Sequence, residues 1–266
     1  MPAKPAIITV IERAARKAAG RLRRDFGEVE QLQVSRKGPA DFVSNADRQA
    51  EQTLVAELQK ARPDYGYLLE EGGEIEGEPG APRFIIDPLD GTTNFLHGIP
   101  HVAMSIAVED GGQITAGVVY QPLTDETFWA VKGEGAFMGD RKMRVSGRRV
   151  MAEALLATGV PFHGHGDAGQ FSAILSTVMP QVAGVRRFGS AALDLAWVAA
   201  GRYDGFWEAG LSKWDIAAGL LLVREAGGLV TDYRGGGDML ERGDVIAANG
   251  SLHSDLHKMI ATAIRK

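Results

Sequence analysis

The sequence predicts a mixed α/β (α+β) fold, and three observations carry that prediction. Apolar residues recur at helical spacing near the N-terminus, short apolar runs separated by turn residues follow from Tyr67, and beyond about residue 150 strand and helix patterns alternate. The 266 residues are 45% hydrophobic and 24% charged, close to an average globular chain, which excludes disordered, collagen-like and coiled-coil classes. A chain of this length buries a sizeable core without covalent staples. The absence of cysteine excludes disulfides, thiolate metal sites and cysteine nucleophiles, leaving any metal to carboxylates, carbonyls or imidazoles. A formal net charge of −5 gives the chain no overall pull on nucleic acid or anionic membrane, so neither is an expected partner.

Ile7, Ile8, Ile11, Ala14, Ala15, Ala18, Leu22 and Phe26 share one face of an amphipathic helix over residues 7–26. Ser44 is a good N-cap, with Asp47 three positions on, for a second helix through Ala50, Leu54, Val55 and Leu58 that stops near Pro63. A strand at Tyr67–Leu69, a Gly/Glu-rich loop at 72–82 and a strand at 83–86 follow, so two strands end in carboxylates. Strands at 102–108, 114–120 and 127–131, with a hairpin turn at 109–112, predict antiparallel sheet. The later half reads as a strand at 155–158, a helix at 168–182, a strand ahead of Gly189 and a helix capped by Ser190 and ended by Gly201. A strand at 203–207, a helix at 215–226 closed by Gly227-Gly228, strands at 229–231 and 245–248 and a C-terminal helix complete the chain. With no repeat or linker, a division is expected at a packed seam near 140–153, giving subdomains 1–145 and 146–266. No apolar run approaches the roughly 20 residues of a membrane span and no signal sequence is evident, so a cytoplasmic location is expected.

The most informative segment is DPLDGTTNF, Asp87 to Phe95, directly after an apolar strand. Pro88 fixes one torsion and Gly91 relieves the chain, which predicts a tight turn with Asp87 and Asp90 at its ends, aimed at one point. Two adjacent acids are tolerable when one is protonated or when a cation lies between them, and oxygen ligands suit a hard ion such as Mg²⁺. The amides of Gly91 and Thr92 and the hydroxyls of Thr92 and Thr93 suit an anion cradle beside it. Together these features point to phosphoryl chemistry; a surface turn with a polar rim is the alternative. Glu70 and Glu71 after one strand, and Asp215 at a helix start, are further acids at element ends.

These residues, with SNAD (44–47), EEGG (70–73), GVVYQP (117–122), KGEGAF (132–137), GSAALDLAWVAAGRYDGFWE (189–208), WDIAAG (214–219), EAGG (225–228) and VIAANG (245–250), resemble the inositol monophosphatase family of magnesium-dependent, lithium-sensitive phosphatases. The motifs are ordered across nearly the whole chain. The resemblance implies a layered α-β-α-β-α sandwich, a homodimer, and two or three Mg²⁺ ions per site, with Mn²⁺ able to substitute and Li⁺ or Ca²⁺ inhibitory. It implies that Glu70 and Asp87, with the Leu89 carbonyl, hold the first metal, that Asp87 bridges to a second completed by Asp90 and Asp215, and that a weaker third shares Glu70. Asp47 and Thr92 then orient the attacking water, with Glu70 counted among the catalytic groups. Gly91 and Thr92 amides hold the phosphate beside Asp90 and Asp215, and Ala191 and Glu208 meet hydroxyls of the alcohol.

The implied reaction is hydrolysis of a phosphorylated polyol, foremost myo-inositol 1-phosphate. Histidinol phosphate, fructose 1,6-bisphosphate and 3′-phosphoadenosine nucleotides are the alternatives among related enzymes, and Glu208 favours the inositol branch. Some bacterial relatives also serve as accessory factors in transcription antitermination, which makes transcription-complex proteins possible partners. Leu69, where the family often has Gly, and Lys213, where Pro or Cys is common, depart from the pattern and leave the substrate rim open. Elsewhere, His163/His165 and His253/His257 offer a rival metal reading, set against a Gly-rich loop and solvated surface positions. His97 and His101 read as core or rim packing, Trp197 as core, and Trp207 and Trp214 as supports of the site. Arg141, Lys142, Arg144, Arg148 and Arg149 form a basic run that suits a solvated face, and Arg186 and Arg187 suit either a dimer contact or an exposed strand end.

Overall fold

The computed structural model describes residues 4–26, 34–36, 42–162 and 166–265. The His163/His165 pair lies outside the described residues.

Helices α1 (Ala6–Phe26) and α2 (Asn45–Ala61) form the first layer, joined by a short hairpin of β1 (Val34–Arg36) and β2 (Phe42–Ser44). The stripe at helical spacing in α1 is the buried one: Ile8, Ile11, Ala14, Ala15, Ala18, Ala19 and Leu22. It packs with Leu54 and Leu58 of α2 onto one face of an eight-stranded sheet. That sheet comprises β3 (Gly66–Leu69), β4 (Gly73–Ile75), β5 (Arg83–Asp90), β6 (Ala103–Asp110), β7 (Gln113–Gln121), β8 (Glu126–Val131), β9 (Gly135–Met138) and β10 (Arg141–Lys142). Its strand order is β10-β9-β8-β7-β6-β5-β3-β4, antiparallel except for the parallel pair β3–β5. The short strands β4 and β10 carry no apolar run, and β4 falls in the stretch read as a Gly/Glu-rich loop; β9 is apolar but only four residues long, and sequence reading assigns it no element.

Alternation along the strands divides the core. Phe84 and Ile86 face the outer helices while Ile85 faces inward, and Val118 and Tyr120 face outward from β7 while Val119 faces inward. The inward face is covered by the middle layer, α5 (Ala191–Ala199) and α6 (Lys213–Glu225), reached after the short α3 (Thr92–Leu96) and α4 (Ala168–Val178). Every residue from Ile216 to Val223 is buried, as a helix covered on both sides requires.

A five-stranded sheet closes the other side of α5 and α6. Its order is β12-β11-β13-β15-β14, from β11 (Leu155–Thr158), β12 (Gly184–Arg186), β13 (Gly205–Glu208), β14 (Gly228–Thr231) and β15 (Val245–Asn249). Ala157, Phe206 and Ala247 point to the middle helices, whereas Leu156, Trp207 and Ile246 point to α4 and α8 (His253–Ile264). The α-β-α-β-α sandwich is therefore present. A further short helix, α7 (Met239–Arg242), links β14 to β15. The helix expected over 168–182 ends at Val178 and continues as a single 3₁₀ turn at 179–181, where Pro180 interrupts it. No helix among the described residues is long and apolar enough to cross a membrane.

Candidate active site

The site lies where β3, β5, β13 and the starts of α5 and α6 meet. Glu70 follows β3, and its amide donates to the Ile86 carbonyl at 3.2 Å, which sets it beside the end of β5. The DPLD segment is not the tight turn that its Pro and Gly suggest. It is the last half of strand β5, interrupted by a bulge: Asp87 opposes Ser105 and Asp90 opposes Ala103, so three steps along β5 match two along β6. In a regular strand residues three apart face opposite ways; the extra residue resets the alternation and lets both acids serve one centre. Asp87 is buried, and its carboxylate accepts the Leu89 amide at 2.8 Å.

Asp215 enters from the first turn of α6, where it accepts the Ser212 amide at 2.7 Å. The Ser105 hydroxyl donates to the Trp214 carbonyl at 2.8 Å and ties that helix start to β6. Asp90 is held from the other side: one of its oxygens accepts the Ser190 hydroxyl and the Ala192 amide, each at 2.7 Å, at the start of α5. A carboxylate at a helix N-terminus is favoured by the helix dipole.

Glu70, Asp87, Asp90 and Asp215 thus converge from three distant stretches of chain. Burial first, then the charges of Glu70, Asp90 and Asp215, push the Asp87 carboxyl well above the usual carboxylate range. Burial and Asp90 raise Asp215, and burial raises Asp90 to about 6 against its bonds to Ser190 and Ala192. Asp87 shares its surroundings with the charges of Glu70 and Asp215, and carboxylates so placed require a proton or a cation between them. Among the described residues no group of three or more acidic or imidazole side chains is placed to hold a metal ion as it stands. The donor set nevertheless fits a hard divalent cation: all oxygen, clustered around the buried Asp87, with charges that either protons or cations must offset.

Beside the acids, Gly91 begins α3 with φ +96°, and a Cβ there would meet the His101 and Gly189 carbonyls at 3.0 and 3.2 Å. The position therefore requires glycine, and the first amides of α3 have no acceptor within the helix. The Thr92 hydroxyl lies 3.0 Å from the Leu89 carbonyl and 3.5 Å from Oδ2 of Asp47, itself buried in the first turn of α2. Glu70, Asp90, Gly91, Thr92, Ala191, Glu208 and Asp215 all line a cleft of about 630 Å³, whereas Asp87 is buried and does not line it. Glu208, at the end of β13, is raised to about 8 by burial and by the charges of Asp90 and Asp215.

Sequence reading misses parts of this cleft. Arg187, read as a dimer contact or strand end, is the one basic side chain among its described lining residues. Phe162, Phe171 and Tyr233 also line it, and nothing in their local sequence marks them. Trp207 is buried and Trp214 partly buried against the site, as their supporting role requires, whereas Trp197 is a partly buried member of a ring cluster with His101, Phe188 and Tyr203. Lys213 is paired with Glu241 at 2.6 Å and does not line the cleft. His253 is buried and hydrogen-bonded to Thr231 at 3.1 Å, which corrects its reading as a solvated surface residue.

Residues 4–266 match the inositol monophosphatase family. The chain is 58% identical over 258 residues, 97% of each protein, to the inositol-1-monophosphatase of Mesorhizobium japonicum. It is 47% identical over 247 residues, 91% of each, to the Nus factor SuhB of Pseudomonas aeruginosa. Its fold matches the crystal structure of the extragenic suppressor protein suhB from Bartonella henselae with a TM-score of 0.94 at 54% identity, covering 96% of this chain and 98% of that one. With similarity running from end to end through every element that builds the cleft, the chain belongs to the inositol monophosphatase family.

Proposed function

We propose that the protein is a Mg²⁺-dependent phosphate monoester hydrolase that releases inositol and phosphate from myo-inositol 1-phosphate. The observation that carries this reading is the cluster of three acids, Glu70, Asp90 and Asp215, around the buried Asp87, set against the start of α3. An acidic cleft repels a phosphate dianion unless cations are shared between them. Glu70, Asp87, Asp90 and Asp215, with the Leu89 carbonyl, would hold two or three Mg²⁺ ions, or Mn²⁺ in their place. When bound, the ions supply a water acidic enough to attack near neutral pH and positive charge against the departing ester oxygen.

The chain's own groups do the rest. Asp47 and Thr92 orient the attacking water, with the Thr92 hydroxyl fixed between two oxygen acceptors. The amides of Gly91 and Thr92 hold the phosphate in line for displacement by water, so no covalent phospho-enzyme forms. Ala191 and Glu208 contact hydroxyls of the alcohol across the cleft. The similarity to an inositol-1-monophosphatase over 97% of the chain supports this substrate. In this reading the protein works as a cytoplasmic homodimer whose subdomains, 1–145 and 146–266, each contribute acids to one site. Phosphate release from a panel of esters with Mg²⁺ tests it: myo-inositol 1-phosphate is preferred, and a clear preference for histidinol phosphate, fructose 1,6-bisphosphate or a 3′-phosphoadenosine nucleotide would overturn the choice.

The 47% identity to a Nus factor supports a second reading, in which the chain also joins transcription complexes through protein contacts. Capture of RNA polymerase or antitermination factors by both the wild type and Asp87→Asn supports that role independently of hydrolysis. Failure of both proteins to capture them removes it.

A further inference from the structure

Glu208 faces the cleft from the end of β13, and its carboxylate occupies space that a side chain at position 159 would fill. Strands β11 and β13 run parallel with Thr158 opposite Trp207, so Gly159 and Glu208, one step further along each chain, are neighbours at the strand ends. The Thr158 hydroxyl donates to the Trp207 carbonyl at 2.7 Å, and both residues are buried, which pins the two backbones together. A Cβ on Gly159 would stand 1.8 Å from Oε1 of Glu208, 2.0 Å from its Cδ and 2.3 Å from its Oε2. These separations lie far inside van der Waals contact, so a side chain at 159 and the present Glu208 carboxylate exclude one another. Gly159 is not in the left-handed region, so the position demands a missing side chain and not an unusual torsion.

We propose that Gly159 is a positioning residue for alcohol recognition: by leaving its Cβ space to the Glu208 carboxylate, it sets where that carboxylate meets the hydroxyls of a polyol phosphate. The inference rests on the reading of Glu208 as the group that contacts the alcohol. With alanine at 159 and both backbones pinned, the side chain of Glu208 must yield. Movement toward the cleft floor brings it closer to Asp90 and Asp215, whose charges oppose that shift.

The test compares the wild type, Gly159→Ala, Glu208→Ala and the double variant on two esters, myo-inositol 1-phosphate and phenyl phosphate, whose alcohol offers no hydroxyl pattern. The readouts are the ratio of kcat/KM between the esters and the melting temperature. Losing a hydrogen bond to a charged group lowers the ratio by about tenfold or more. The expected result is that Gly159→Ala lowers the ratio through KM, that its effect vanishes in the Glu208→Ala background, and that the double variant melts above Gly159→Ala. If Glu208→Ala lowers the ratio but Gly159→Ala does not, or if the two effects simply add, the positioning role is overturned while the reading of Glu208 stands. If Glu208→Ala leaves the ratio unchanged, the reading of Glu208 fails and takes the proposal with it.

Discussion

Replacing Asp87 with asparagine separates the metal account from every purely structural one. The side chain is buried and nearly isosteric with its replacement, and its carboxylate accepts the Leu89 amide, a bond that the asparagine carbonyl oxygen can keep. What changes is charge. Two unit charges about 4 Å apart at an effective dielectric of about 20 interact by about 4 kcal/mol. In the metal-free protein the raised Asp87 carboxyl carries its proton, so the neutral asparagine changes the cluster little and the variant melts near the wild-type temperature. Toward a divalent cation the doubled charge makes the lost attraction about 8 kcal/mol at the same separation, so even after desolvation takes half of it the affinity falls by about a thousandfold or more. Nucleophile generation and metal placement then fail together, and phosphate release at saturating Mg²⁺ falls by about a thousandfold or more. Phosphate release and thermal melting with and without Mg²⁺ measure both halves. Turnover within about tenfold of wild type in a stable variant would refute the reasoning, because that leaves under about 1.4 kcal/mol for the role assigned to the carboxylate.

Further outcomes follow from the same geometry. Asp90, Glu208, Asp87 and Asp215 all have folded pKa values raised above the unfolded ones, so the stability they contribute is present below about pH 4 and is lost as pH rises through the folded values, about 6 for Asp90 and about 8 for Glu208. Mg²⁺ must displace those protons, so the rise in melting temperature that it produces is larger at pH 8 than at pH 5; the reverse order would contradict the assignment. Thr92→Val removes the hydroxyl near Leu89 and Asp47 and lowers kcat by about a hundredfold with KM little changed, whereas an unchanged kcat in steady-state assays would rule out a role in orienting water. Gly91→Ala forces a side chain into a left-handed position 3.0 Å from the His101 carbonyl and costs about 1–3 kcal/mol of stability, and an unchanged melting temperature would count against that reading.

The outer elements are legible in the sequence because each has one wet face. The stripe from Ile8 to Leu22 locates a helix that the structure places within a residue or two, whereas α5, buried in the middle layer, is located by its Ser190 cap. α6 gives no such periodicity, being covered on both sides, and it is Trp214-Asp215 and the closing Gly227 that locate it. The acids are visible as residues at element ends, but their meeting is not, since it depends on a bulge in β5, a bond from Ser105 to the start of α6, and a helix start aimed at Asp90. DPLDG misleads in detail because Pro and Gly mark turns and strand irregularities alike. Arg187 and Gly159 gain their significance only from the packing of the second sheet, which no local pattern records.

The central claim is that acids from separate stretches share divalent ions. Anomalous diffraction from crystals soaked in Mn²⁺ and phosphate measures this directly. The account predicts peaks bonded to oxygens of Glu70, Asp87, Asp90 and Asp215, with phosphate against the Gly91 and Thr92 amides. Peaks held by other residues, or a site that stays metal-free at saturating Mn²⁺, would contradict it.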